Sequence, residues 1–186
     1  MKYGRVWLHV FFTILVGVFV LLNNPGLKET KINESQTDII EVSAEKERET
    51  ARVLRVIDGD TIEVDLNNKK EMVRLIGIDA PETVDPRKTI ECFGKEASQK
   101  ASVLLDGKEI TLESDPTQGN RDKYGRLLRY IFLDDLNFNK LMIREGFAHE
   151  YTYNFPYKHQ EEFRNAEKDA RENQKGLWDK NNRCYN

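Results

Sequence analysis

Five short segments of this chain alternate between apolar and polar residues, and a period of two predicts β-strands. They are residues 51–58, 61–66, 71–78, 108–113 and 126–133. The turn sequences Asp58-Gly59-Asp60 and Asn67-Asn68 separate the first three segments. We therefore expect a three-stranded meander, with two more strands later in the chain.

Helical periodicity appears in three other segments. Residues 94–105 place four apolar side chains on one face, which are Ala97, Ala101, Leu104 and Leu105. A short helix capped by Asn137 or Asn139 is expected to reach residue 145, and a last helix to span residues 158–173. Three strands, a helix and two further strands is the order of a five-stranded OB-fold barrel. The predicted fold class is α+β, mainly β, with three helices.

An apolar run over residues 6–22 follows Lys2 and Arg5 and stops at residues 23–26. A positive flank ahead of such a run predicts a cytoplasmic N-terminus, a membrane-spanning helix and an exported remainder. A cleaved signal peptide is the alternative, although no pair of small residues follows the run. We expect a single-pass protein of the cell membrane with an extracellular main domain, or a secreted protein after signal cleavage.

The chain divides into four parts, which are an anchor or signal segment (1–26), a flexible linker (27–50), an OB-fold domain (51–180) and a C-terminal tail (181–186). The linker holds seven acidic and four basic residues and few large apolar ones. Such a composition buries too little apolar surface to fold. From Ala51 onward the chain has 23 basic and 25 acidic residues. Because this part is nearly neutral, any affinity for nucleic acid must come from local placement of cations.

Two carboxylates stand where neighbouring strands can bring them together. Asp60 ends a turn and Asp79 ends the third predicted strand. Close carboxylates repel each other unless a cation lies between them, and hard oxygen ligands favour calcium or magnesium. Pro81 can fix the Ala80 carbonyl toward such a metal, and Glu82 would then lie near the metal as an activator of water.

Two arginines complete the predicted site. Arg74 and Arg126 can hold the oxygens of a phosphodiester, whose negative charge grows under attack. A cation, a base and two guanidinium groups suit in-line attack of water on phosphorus. The histidines offer no competing nucleophilic arrangement with serine or cysteine.

Five short motifs occur in one order along the chain. They are D-G-D-T (58–61), R-L-I-G-I-D-A-P-E (74–82), G-K-E-A (94–97), D-K-Y-G-R (122–126) and G-L-W (176–178). Each motif alone is weak evidence. The set, in this order and spacing, resembles the staphylococcal nuclease (thermonuclease) family and is highly specific.

The resemblance runs over residues 51–178 and implies a five-stranded OB-fold barrel with three helices. It implies a Ca²⁺-dependent nuclease of DNA and RNA that leaves 3′-phosphate ends and prefers single strands or frayed duplex. The implied calcium ligands are Asp60, Asp79 and the Ala80 carbonyl. The implied catalytic residues are Arg74, Glu82 and Arg126. The implied substrate-binding residues are Lys123, Tyr124, Tyr151 and Tyr153. We expect a monomer.

Several residues allow two interpretations. Cys92 and Cys184 are either two buried thiols or one disulfide that ties the C-terminal tail to the domain, and export favours the disulfide. Tyr151, Thr152, Tyr153, Phe155 and Tyr157 form either a base-stacking platform or packing for the last helix.

A different functional class also fits an OB-fold barrel. An exported module could bind nucleic acid or protein without cutting it, or serve as a cell-surface interaction domain. A degenerate binder should lack at least one of four side chains, which are Asp60, Arg74, Glu82 and Arg126. All four are present, which favours the enzyme. The slightly acidic balance of the domain argues against very tight binding of nucleic acid.

Overall fold

The computed structural model describes residues 48–83, 91–182 and 184. The strands are β1 (Arg48–Val56), β2 (Thr61–Leu66), β3 (Lys69–Leu75), β4 (Ile78–Asp79), β5 (Glu109–Glu113), β6 (Leu127–Leu133), β7 (Leu136–Asn137) and β8 (His149–Glu150). The helices are α1 (Gly94–Leu105), α2 (Phe138–Arg144) and α3 (Gln160–Glu172). Two 3₁₀ turns follow, at Gly176–Trp178 and Lys180–Asn182.

Five strands close into a barrel. Their order is β3-β2-β1-β5-β6, and β3 then pairs with β6 to complete the circle. The neighbours in this order are antiparallel, whereas the closing pair is parallel, with Arg74 opposite Leu128. The short strand β7 extends β6 at one edge. The predicted five-stranded barrel with three helices is confirmed.

A buried amide supports the closing pair of strands. Asn139 has no solvent exposure, and its Nδ2 donates to the carbonyl of Ile76 at 2.9 Å while its Oδ1 accepts from the amide of Ile131 at 2.9 Å. The amide of Ile76 also donates to the carbonyl of Arg129. Asn139 was one of two predicted helix caps, but Asn137 caps α2 by accepting from the amide of Lys140. Asn139 therefore joins the end of β3 to β6.

The third predicted strand is divided in the structure. β3 ends at Leu75, and Gly77 has a φ of +78° that no regular strand adopts. The tyrosine ring of Tyr157 lies so close that a Cβ on Gly77 would stand 2.7 Å from it. Ile78 and Asp79 then form β4, which pairs with β8 instead of continuing β3. The alternating pattern of residues 71–78 did not reveal this break, because Ile78 is apolar and buried and so fits the pattern of a continuous strand.

The first strand begins earlier than the sequence predicts. Residues 48–50, predicted as the end of the linker, belong to β1 and pair with β5. Arg48 contributes an ion pair, since its Nε donates to the carboxylate of Glu113 at 2.8 Å. Long-range pairing with β5 explains why local composition did not reveal this part of the strand.

Helix α3 is fastened to the barrel by a buried carboxylate. The Oδ2 of Asp115 accepts from the hydroxyl of Tyr130 at 2.7 Å and from the amide of Lys158 at 2.8 Å. Burial raises the pKa of Asp115, but hydrogen bonds from Lys158, Tyr130 and Thr117 outweigh burial, and the net pKa is lowered. The carboxylate therefore stays ionised where the chain enters α3.

Cys92 and Cys184 form a disulfide in the structure, with Cα atoms 5.4 Å apart. The bond joins the residue two before α1 to the C-terminal tail, across 92 positions of sequence. The preceding 3₁₀ turn is also attached, because the amide of Leu177 donates to the carbonyl of Gly146 at 2.8 Å. The C-terminus is thus tied to two places in the domain.

No helix among the described residues is long and apolar enough to cross a membrane. The predicted membrane segment at residues 6–22 and most of the predicted linker lie outside the described residues. Both remain predictions.

We expect the disulfide to stabilise the domain. In the Cys92→Ser/Cys184→Ser double variant, the free energy of unfolding should fall by about 2–5 kcal/mol, because the unfolded chain regains the freedom of a long loop. Urea unfolding of both proteins measures this difference. Free-thiol counts of the denatured wild type, before and after reduction, provide the control. Equal counts would contradict the disulfide.

Candidate active site

Arg74, at the end of β3, lies between two carboxylates. Its Nη2 is 3.1 Å from Oδ2 of Asp60 and 2.9 Å from Oδ1 of Asp79. Its Nη1 donates to the carbonyls of Leu75 and Ile78, both at 2.8 Å. Since both carboxylates meet the same nitrogen, Asp60 and Asp79 are neighbours in space, as the sequence predicts.

The two aspartates differ in exposure. The side chain of Asp60 is 8% exposed, whereas that of Asp79 is 55% exposed. Burial and the charge of Asp60 raise the pKa of Asp79, although Arg74 opposes them. One face of this carboxylate pair is therefore open to solvent.

Asp58, in the turn before β2, adds a third carboxyl group beside Asp60. Its Oδ1 accepts from the amide of Asp60 at 3.0 Å, as expected of a supporting turn carboxylate. Burial and the neighbouring Asp60 raise the pKa of Asp58 to about 7. Negative charge is therefore crowded around Asp60, and this crowding would be relieved by a bound cation.

Gly59 allows Asp60 to approach residue 80. A Cβ on Gly59 would stand 2.6 Å from the Cβ of Ala80 and 3.2 Å from that of Ala97. Across this close contact, the amide of Ala80 donates to Oδ2 of Asp60 at 2.7 Å. The missing side chain thus keeps the three predicted metal-binding residues adjacent.

The described residues contain no group of three or more His, Cys, Asp or Glu side chains arranged around a metal position. Asp60 and Asp79 nevertheless fit a hard cation, because they are neighbouring oxygen donors in a region of crowded negative charge. A backbone carbonyl and water would have to complete the ligand set, as calcium sites allow.

The second arginine is held by a tight turn. The carboxylate of Asp122 accepts from the amides of Tyr124 and Arg126, both at 2.9 Å, and from Nε of Arg126 at 2.7 Å. The guanidinium of Arg126 lies 5.3 Å from the ring centroid of Tyr124, and Nζ of Lys123 lies 5.1 Å from the same centroid. One short turn thus presents two cations and an exposed aromatic ring.

A cavity of about 660 Å³ brings most of the predicted site together. Seven of the predicted residues line it, which are Arg74, Asp79, Lys123, Tyr124, Arg126, Tyr151 and Tyr153. The closure of the barrel brings Arg74 and Arg126 to the same cavity, because Arg74 on β3 is paired with Leu128, which lies two residues after Arg126. The cavity therefore combines cations with exposed aromatic rings, the combination that suits a nucleotide.

Asp60, Ala80 and Glu82 are not among the residues that line this cavity. Asp60 lies behind Arg74, and Ala80 lies beside Asp60. The amide of Glu82 donates to the carboxylate of Glu91, and its carbonyl accepts from the amide of Glu91, both at 3.0 Å. The structure thus fixes the backbone of Glu82 but does not bring its side chain to the cavity wall.

Comparison with known proteins bears directly on this site. A family model described as staphylococcal nuclease homologue matches residues 72–180. The thermonuclease of Staphylococcus hyicus is 41% identical over 130 residues, which cover 70% of this chain and 76% of that protein. The chain belongs to the staphylococcal nuclease family. The thermonuclease of Staphylococcus intermedius is 36% identical over 167 residues, covering 90% of this chain and 92% of that protein.

A Bacillus subtilis relative, named endonuclease YncB, is 36% identical over 137 residues, covering 71% of this chain and 64% of that protein. Membership of the staphylococcal nuclease family supports a metal-dependent nuclease, a hydrolase that acts on nucleic acids, as the general function of this chain.

The aromatic segment separates into two groups. Tyr157 is only 5% exposed and packs in the core, so its possible role in a stacking platform is excluded. Tyr151, Tyr153 and Phe155 are exposed and line the cavity. The rings of Tyr151 and Tyr153 have centroids 6.4 Å apart. The cavity of this family member is therefore lined both by an aromatic wall, which is Tyr151, Tyr153 and Phe155, and by the turn that carries Lys123 and Arg126.

Sequence reasoning missed Arg121 and Gln118, which both line the cavity. Gln118 contacts the aromatic segment, because its Nε2 donates to the carbonyls of Phe155 and Pro156 at 3.2 Å. A position next to the D-K-Y-G-R motif was the one available signal for Arg121.

We expect Gly59→Ala to destabilise the domain by about 1–3 kcal/mol, because the new methyl group overlaps Ala80 in a packed interior. The double variant Gly59→Ala/Ala80→Gly should regain part of this loss, since it removes the atom at 2.6 Å. Urea unfolding measures both changes. A single variant as stable as the wild type would contradict the close approach.

Proposed function

We propose that this protein is a calcium-dependent nuclease that hydrolyses phosphodiester bonds of DNA and RNA and leaves 3′-phosphate ends. The observation that carries the proposal is the cavity in which Arg74 and Arg126 both face the space beside Asp79. A phosphodiester fits between two guanidinium groups, which bind its oxygens more strongly as negative charge develops.

The two arginines are held in place by different groups. Arg74 is fixed by two carboxylates and two carbonyls. Arg126 is fixed by one carboxylate, that of Asp122. We propose that both bind non-bridging oxygens and that they hold the phosphorus in line with an attacking water. Preorganised charge of this kind stabilises the transition state without reorganisation during the reaction.

Glu82 is proposed to accept the proton of the attacking water or to position that water. Its backbone is held on both sides by Glu91, while its side chain must turn toward the cavity when substrate binds. The water oxygen bonds to phosphorus, the bond from phosphorus to the 5′-oxygen breaks, and the departing 5′-oxygen takes a proton from solvent. This direction of cleavage leaves the phosphate on the 3′ side.

Calcium bound by Asp60, Asp79 and the Ala80 carbonyl would supply positive charge next to the attacked phosphate. The support for this ligand set is that Asp60 and Asp79 both contact Nη2 of Arg74, while the amide of Ala80 donates to Asp60. The chain's own contribution is to keep two carboxylates adjacent although they repel each other.

The aromatic wall supports unpaired nucleotides as substrate. Tyr151 and Tyr153 are proposed to flank a base, and Lys123 and Tyr124 to contact a neighbouring phosphate. An exposed ring stacks on any base, so this wall favours single strands or frayed duplex without reading sequence. We propose that the protein acts as a monomer, because one chain supplies all these groups.

We also propose that the nuclease works outside the cell, held by residues 6–22 as a membrane anchor or secreted after cleavage. The support is the apolar run with its preceding Lys2 and Arg5. The disulfide between Cys92 and Cys184 suits an oxidising compartment.

For the activity, we expect the full-length chain in mild detergent to cut single-stranded DNA with calcium and to stop when a chelator is added. Glu82→Gln should lower kcat by at least about a hundredfold, because it removes the proposed base. The matched control is Glu161→Gln, which neutralises an exposed glutamate on α3.

End-labelled products give a separate check of the reaction. Ends that carry a 3′-phosphate support the proposal, and ends that carry a 5′-phosphate contradict it. A folded protein that binds the strand with calcium but never cuts it would indicate a non-catalytic binding module instead.

For the location, we expect intact cells to expose the domain to added protease and to retain it in the membrane fraction, or to release it into the medium when the segment is cleaved. A variant with Ile14→Arg and Val18→Arg should lose this exposure, since charge inside the apolar run opposes membrane insertion. Domain that stays protected inside intact cells would contradict export.

A further inference from the structure

We propose that Arg121 and Glu71 form a clamp that positions the phosphate-binding turn, residues 122–126, against strand β3. This inference rests on the proposed function, because it assigns a role to the support of that same site. Arg121 is a positioning residue here, and its action passes through Lys123 and Tyr124.

The guanidinium of Arg121 and the carboxylate of Glu71 form a bidentate contact. Nη1 of Arg121 is 2.8 Å from Oε2 of Glu71, and Nη2 is 2.9 Å from Oε1. Two parallel hydrogen bonds fix the guanidinium plane as well as its position. Hydrogen bonding from Arg121 lowers the pKa of Glu71, so the carboxylate is ionised at neutral pH.

The same guanidinium also reaches the turn. Nη1 of Arg121 donates to the carbonyl of Gly125 at 2.7 Å. By contrast, among the described residues the carboxylate of Asp122 accepts from within the turn, from Tyr124 and Arg126. Asp122 therefore sets the internal shape of the turn, whereas Arg121 connects the turn to another part of the barrel.

The clamp reaches strand β3, which carries both Glu71 and Arg74. Arg74 is one of the two proposed catalytic arginines. The clamp thus links the strand of Arg74 to the turn that holds Lys123, Tyr124 and Arg126. Lys123 and Tyr124 are exposed at the tip of this turn. The pairing of β6 with β3 places the base of the turn, and the clamp adds a second contact nearer its tip, at Gly125.

Arg121 also lines the cavity, so a direct contact with a substrate phosphate is the competing role. The two roles make opposite predictions for Glu71. If Arg121 positions the turn, loss of Glu71 weakens substrate binding. If Arg121 binds phosphate itself, loss of Glu71 frees a cation and leaves binding unchanged or tighter.

The test measures the Kd of a fluorescent single-stranded oligonucleotide with the full-length chain in mild detergent, with chelator present so that the strand is not cut. The variants are Arg121→Gln and Glu71→Gln. We expect both to raise Kd by about tenfold, which is about 1.4 kcal/mol of binding free energy. KM in calcium should rise to a similar extent, with kcat changed less.

Two comparisons separate positioning from other effects. Arg55→Gln and Glu63→Gln break an exposed ion pair of 3.0 Å between β1 and β2, away from the cavity lining, and should leave Kd unchanged. The dependence of log Kd on log salt concentration should keep its slope in Arg121→Gln. Loss of a direct phosphate contact would instead lower that slope by about 0.7.

Either of two results overturns the clamp. One is an unchanged or lower Kd in Glu71→Gln beside a raised Kd in Arg121→Gln. The other is a fall in melting temperature in both variants with no change in Kd. Failure of the wild type to cut DNA would refute the proposed nuclease but not the clamp, because the binding measurement does not depend on cleavage.

Discussion

The parallel pairing of β3 with β6 is the contact on which the site depends. It closes the barrel and sets Arg74 opposite Leu128, so that Arg126 emerges beside the end of β3. A parallel ladder between strands far apart in sequence needs support, and the buried amide of Asn139 gives it by bonding to both sides. Without this closure the two arginines would belong to separate surfaces.

The domain is nearly neutral as a whole, but charged side chains are concentrated around the site. Arg74 and Arg126 are each held by carboxylates, so the cations of the cavity are fixed before substrate arrives. A phosphate that enters must compete with those carboxylates for the guanidinium groups. Asp58, Asp60 and Asp79 are also close together, and this crowding of carboxyl groups raises the affinity of the same region for a cation. A metal-dependent phosphodiesterase needs a region that binds phosphate and a region that binds a cation next to each other.

Local sequence patterns predicted the elements whose signals are local. The turn at Asn67-Asn68, where both residues have positive φ, and helix α1 agree with the predicted positions. The break at Gly77 was not predicted, since it depends on the packing of Tyr157 from a distant segment. The start of β1 at Arg48 depends similarly on pairing with β5.

For the site, too, the sequence predicted some contacts and not others. The motifs predicted that Asp60, Arg74 and Asp79 would meet, and the structure brings them together. The motifs did not predict the bond between Arg121 and Glu71, because these residues are 50 positions apart and neither belongs to the predicted catalytic set. Nor did they separate buried Tyr157 from exposed Tyr151 and Tyr153, since burial depends on where α3 packs.

In the proposed mechanism, a cation bound by Asp60 and Asp79 lies beside the phosphate that Arg74 and Arg126 hold in the cavity. The most direct measurement is a crystal structure with calcium and an oligonucleotide that resists hydrolysis. We predict a calcium ion about 2.3–2.6 Å from oxygens of Asp60 and Asp79, with the phosphate between Arg74 and Arg126. A phosphate bound away from both arginines, or a calcium ion that neither aspartate touches, would contradict the account.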